Sequence, residues 1–103
     1  MPATQGDAPV CLILITYVVP LDEVDRLMTS HVEWLDRGYA EGLFLMSGRR
    51  EPRTGGVIVC RGRKAEVEAL AASDPFTTGG AATVEVIEFN ASWAADAVAP
   101  LFA

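Results

Sequence analysis

An α+β fold, with helices on one face of an antiparallel sheet, is what three features of this sequence predict. The first is the run Val10 to Val19, whose even positions (Val10, Leu12, Leu14, Val18) and odd positions (Cys11, Ile13, Ile15, Val19) are alike apolar. Side chains alternate faces along a strand, so a strand with one wet face alternates apolar and polar residues. This run does not, and it reads as a central strand covered on both sides. Its ten residues are too few for a membrane helix, and its β-branched content favours strand over buried helix. The second feature is the order of periodicities, β-α-β-β-α-β, the split βαβ or ferredoxin-like pattern. The third is an imbalance of cover: two helices of this size shield one sheet face, and nothing else in the chain shields the other.

The elements follow in order. Met1 to Pro9 is small, polar and punctuated by Pro and Gly, and is expected to be a flexible leader to a single domain over 10–103. Pro20 stops the first strand. Leu21 to Arg37 then takes helical period, with Asp22, Glu23 and Asp25 in the first turn, where the helix dipole favours acid. Val24, Leu27, Met28, His31 and Leu35 share one face of it. Gly38 and Gly42 mark its fraying end and the turn out of it. Leu43 to Gly48 is a second strand, residues 49–56 a hairpin loop, and Val57 to Cys60 a short third strand. Lys64 to Ala72 is a small-residue helix. Pro75 disfavours helical geometry at Asp74, so this helix ends there or just before. Thr77 to Ala82 is a Gly-rich connection, and Thr83 to Phe89 an amphipathic edge strand. Ser92 is placed to cap a short C-terminal helix from Trp93 to about Val98.

An uncovered sheet face needs a partner. About ten apolar side chains there exceed the few hundred Å² that monomers usually expose. Burying each is worth roughly 1.5–3 kcal/mol, ample against the several-kcal/mol cost of association. A homodimer through sheet-on-sheet packing is therefore expected. Among 103 residues the net charge is −6, which argues against nucleic acid and anionic membranes, since both call for a basic face. Cys11 and Cys60 lie inside apolar runs without CxxC spacing, so they read as small buried hydrophobes in a reducing compartment, not as a disulfide or metal ligands. No basic leader or cleavage site flanks the first apolar run, so the cytoplasm is the expected location.

His31 is the only histidine, and it falls mid-stripe between Leu27 and Leu35. Spacing alone favours a core imidazole satisfied by a backbone carbonyl, since burying one unpaired costs about 1–3 kcal/mol. Asp74 closes the second helix, where a negative charge is unfavourable, and that mismatch points to a partner elsewhere. With the helices side by side it reaches the His31 ring; a carboxylate on one nitrogen fixes the tautomer and frees the other for proton transfer. Arg49, Arg50 and Arg53 cluster on the hairpin loop; solvated side chains are the commoner reading, a clamp for a carboxylate or phenolate the sharper one. Tyr17, Trp34, Tyr39 and Phe76 line a pocket or simply fill core. Gly55-Gly56 and Gly79-Gly80 lack the strand and helix context of a nucleotide loop.

Several short motifs resemble the YCII-related domain family. They are His31-Val32-Glu33-Trp34-Leu35, Glu41-Gly42-Leu43, Ser47-Gly48, Gly56, and Ala72-Ser73-Asp74-Pro75-Phe76, in matching order over residues 10–91. The resemblance implies a dimeric α/β-barrel of ferredoxin-like subunits whose pocket holds a His–Asp pair for proton transfer. His31 and Asp74 are then that pair, with Ser47 at the rim and Arg49 and Phe76 as substrate-binding neighbours. Two positions depart from the family pattern: Met28 stands where members often have Arg, and Arg49 where they often have Pro. The expected function is a small enzyme without cofactor or metal, a lyase or isomerase acting on a small carbonyl, enol or phenol. The alternatives are a dimeric binding module that only holds a small ligand and, ranked lower, a cofactor-free oxygenase.

Overall fold

The computed structural model describes residues 2–4 and 8–102. A short strand, β1 (Pro2–Thr4), precedes the long central strand β2 (Pro9–Tyr17). Helices α1 (Leu21–Arg26) and α2 (Met28–Ala40) lead into the hairpin of β3 (Phe44–Arg49) and β4 (Gly55–Arg61). Then come α3 (Lys64–Ala72), the one-turn α4 (Pro75–Thr78), β5 (Ala82–Asn90), β6 (Trp93–Ala95) and a 3₁₀ turn at Ala99–Phe102. The main sheet runs β3-β4-β2-β5 with every neighbour antiparallel. That is the order of a split βαβ fold, and β2 is its interior strand.

Register decides which face each β2 residue serves. Cys11, Ile13 and Ile15 are buried beneath the helices, with Cys60 and Ile58 of β4 opposite the first two. Val24, Trp34, Val67, Ala71 and Phe76 close over them from the helices. The other face is not closed. There Leu12 lies between Val59 and Ile87, Leu14 opposite Val57, and Val10 opposite Phe89. Leu12, Leu14, Val57 and Val59 are half-buried, while Met46, Ile87 and Phe89 are exposed. Within one chain, then, β2 has helical cover on one face only. The apolar run also outlasts the strand: pairing stops at Tyr17, and Val18 is 57% exposed.

Three local departures from the sequence reading have physical reasons. The helix predicted as one piece over 21–37 is two, because Leu27 leaves helical geometry (φ −99°, ψ 0°) and its N–H donates to Val24 three residues back. Gly38 does not end α2 but lies inside it, where the Phe44 ring rests against the helix; a Cβ there would lie 2.2 Å from ring carbons. The turn falls at Gly42, as expected, and its φ of +74° suits glycine. Asp74 does not close α3; Ser73 does, and Asp74 opens α4 as its N-cap, accepting from the Phe76 N–H at 3.1 Å. The predicted unfavourable meeting of a carboxylate with a helix C-terminus is therefore replaced by a favourable one at an N-terminus.

The chain end also differs. In place of a helix over Trp93–Val98 stand β6, a turn and the 3₁₀ segment. Strand β6 pairs with β1, Pro2 opposite Ala95 and Thr4 opposite Trp93, in a separate two-stranded sheet. The backbone of residues 93–95 thus finds its hydrogen bonds between strands. Of the expected leader, Met1 and residues 5–7 lie outside the described residues.

Candidate active site

Helix α2 brings His31 over the sheet, and the Asp74 turn rises beside it. Asp74 is fully buried and His31 nearly so. The ring Nδ1 lies 2.7 Å from Asp74 Oδ1. The same carboxylate oxygen accepts the Phe76 N–H, so it acts as an acceptor, and the proton of the shared bond sits on Nδ1. The core histidine tied to a backbone carbonyl is thus replaced by a carboxylate partner 43 residues away in sequence. Asp74 Oδ2 is buried with no hydrogen-bond partner among the described residues.

Aromatic rings hold the imidazole in plane. Phe76 stacks on it at 3.9 Å between centroids and 11° between planes. Trp34 flanks it at 5.8 Å, anchored by its Nε1–H to Ser73 Oγ at 3.0 Å. Tyr17 meets the edge of Phe76 at 5.7 Å. A ring clamped by stacking and by one short hydrogen bond has little freedom to turn, and the fixed tautomer leaves Nε2 as the unprotonated nitrogen. Nε2 makes no hydrogen bond among the described residues.

A cavity of about 280 Å³ opens beside His31, between α2 and the ends of β2, β3 and β4. Its walls are mainly apolar, from Ile15, Met28, Leu35, Ile58 and Phe76. Since roughly 150 Å³ holds a benzene, the space suits one substituted ring or a short chain of similar bulk. Gly56 helps to keep it open, because its missing Cβ would point from the helix face of β4 beside Ile15.

The expected site residues divide on inspection. His31, Ser47, Arg49 and Phe76 line the cavity, while Asp74 stands behind the imidazole. Ser47 Oγ is 2.7 Å from the Tyr39 hydroxyl, which fixes it at the rim. Arg49 is 69% exposed and only loosely paired with Glu51 at 3.3 Å. Arg50 turns away to Thr16 Oγ1 at 3.2 Å and does not line the cavity. Arg53 does line it, although Arg49 was the arginine chosen from the sequence. Its guanidinium donates to Asp25 Oδ1 of α1 at 2.6 Å, and this bond holds its pKa above the ordinary arginine value. The signal that distinguishes the two arginines is the acid on α1, and spacing along the chain does not reveal that contact.

A ferredoxin-like α+β domain with a buried imidazole–carboxylate pair beside a small apolar cavity is the class that fold and site define. The sequence matches the YCII-related domain over residues 10–90, and the chain belongs to that family. Among solved structures it resembles the 5-chloro-2-hydroxyhydroquinone dehydrochlorinase of Burkholderia phenoliruptrix, determined in complex with 2,5-dihydroxybenzoquinone. The TM-score is 0.68, over 79% of this chain and 93% of that one, with 18% sequence identity. At that identity the likeness establishes a shared fold. No curated protein matches the sequence. Among the described residues, no helix is long and apolar enough to cross a membrane.

Proposed function

We propose that this protein is a small enzyme that moves protons on a small carbonyl, enol or phenolic substrate without a cofactor, in a lyase or isomerase reaction. One observation carries the reading: His31 Nδ1 is tied to the buried Asp74 at 2.7 Å while the same residue lines the cavity. Asp74 orients the ring and stabilises the imidazolium that forms when Nε2 accepts a proton. The proton is then returned at a second atom for an isomerisation. In an elimination it remains on the ring as a leaving group departs. The solved relative is a dehydrochlorinase, and loss of chloride after proton transfer belongs to that second type of chemistry. Ser47 and Tyr39 supply a hydroxyl pair at the rim for a substrate oxygen, and Phe76 a flat wall for the substrate.

The reading extends to the assembly: a homodimer through the open sheet face, in the cytoplasm, with residues 10–103 as one functional unit. The test is turnover of a panel of enolisable carbonyls and chlorinated phenols, followed by solvent-deuterium incorporation and chloride release. His31→Gln is expected to lose roughly 10²-fold to 10⁴-fold in rate, the usual worth of a general acid–base. Asp74→Asn should approach that loss, because an amide can impose the wrong tautomer on the ring. Full turnover in His31→Gln removes the mechanism. A ligand that binds and is returned unchanged by the wild type would instead make the pocket a binding module.

A further inference from the structure

The charge of the cavity runs against that of the protein. The chain carries 14 acidic residues and a net charge of −6. None of the described acids lines the cavity, whereas Arg49 and Arg53 do. Their acid partners, Glu51 and Asp25, lie outside the lining, so what the cavity presents is guanidinium N–H donors. We propose that Arg53 is the residue that selects the substrate, and that the substrate is a small flat anion whose delocalised oxyanion, a carboxylate or phenolate, lies against this guanidinium. The inference rests on the site proposed above, but only in taking the cavity as a ligand pocket.

Arg53 is favoured over Arg49 by how each is held. The Arg49 side chain is 69% exposed with a 3.3 Å contact to an equally exposed glutamate, so solvent screens it. The Arg53 side chain is 29% exposed and fixed at 2.6 Å to Asp25, itself 57% exposed on the outer side. One N–H of the fork is spent on that latch. The guanidinium has five, so donors remain for a bound oxyanion without moving the side chain. The latch joins the hairpin loop of β3 and β4 to α1, and it presets the arginine before a ligand arrives. Met28 of α2 also lines the cavity, an apolar neighbour for the flat part of such a ligand.

The test uses benzoate, para-nitrophenolate and neutral benzamide as probes, titrated by calorimetry into the purified full chain. Wild type should bind both anions at least roughly tenfold more tightly than benzamide, the worth of one charge-assisted hydrogen bond. Arg53→Gln should erase that preference and leave benzamide binding unchanged, with Arg53→Lys intermediate. Arg49→Gln should weaken the anions less than Arg53→Gln does, since solvent screens the exposed side chain. The two anions separate a carboxylate reader from a phenolate reader. Equal binding of benzamide and benzoate by wild type, an anion preference kept by Arg53→Gln, or no binding of either anion would overturn the proposal. His31→Gln should keep the anion preference, so this inference and the proton-transfer reading fail separately.

Discussion

His31 and Asp74 show how a polar pair becomes tolerable inside a core: each supplies what the other lacks. A second buried pair is of another kind. Cys11 and Cys60 face each other across β2 and β4, both free and both fully buried, their thiols directed to the carbonyls of Gly62 and Arg61 at 3.3 Å. Burial first, and then the neighbouring Cys11, push the Cys60 thiol from 9.0 to about 11. The sign follows from linkage: between those values the unfolded chain has released this proton and the folded chain has not. Stability present below pH 9.0 is lost as pH rises through about 11. Urea melts at both pH values should therefore show a steeper decline in wild type than in Cys60→Ala. The difference should be at most about 3 kcal/mol. Parallel declines would mean that the thiol ionises as readily folded as unfolded.

Elements carry the next level of constraint, and Gly38 illustrates it. Helix propensity says that Gly38→Ala in mid-helix gains up to about 1 kcal/mol. Packing says otherwise, because the new methyl would enter the Phe44 ring. Overpacking of that kind costs about 1–3 kcal/mol, and Phe44 in turn touches Trp34 at 5.1 Å, so the strain travels toward His31. Chemical denaturation should show Gly38→Ala less stable than wild type; a gain in stability would refute the contact. This position also marks the limit of what the sequence discloses. The four main strands and the two long helical segments were legible because apolar period is local. The meeting of His31 with Asp74 is expected from the family resemblance, whereas spacing alone favours a backbone carbonyl, and the supposed misfit of Asp74 with its helix is absent because it caps α4. The latch between Asp25 and Arg53 depends on a contact between distant segments, which no local pattern encodes. Trp93–Ala95 misled for the same reason: its pairing partner, Pro2–Thr4, lies at the far end of the chain.

At the scale of the molecule, the division of labour between the sheet faces is the main fact. One face holds the helices, the cavity and the imidazole; the other exposes Ile87 and Phe89 and leaves Leu12, Leu14, Val57 and Val59 half-buried, while Val10 is buried beside Ala8 and Ala91. A second copy is the proposed cover, since the same face on each partner would be buried by a twofold axis. Ile87→Lys should convert a species of twice the chain mass to one of single mass in sedimentation equilibrium, because an unpaired charge buried there costs several kcal/mol. A wild-type chain that sediments as a monomer would sink this expectation. The cavity lies on the helical side, so a monomeric variant should still bind ligand.

The solitary histidine also makes the site easy to watch. A proton NMR spectrum of this chain contains one set of imidazole resonances, and it belongs to the ring beside the cavity. Ring currents from Phe76, stacked at 3.9 Å, shift those lines. Any molecule that enters will move them again, so metabolite mixtures can be screened before a substrate is known.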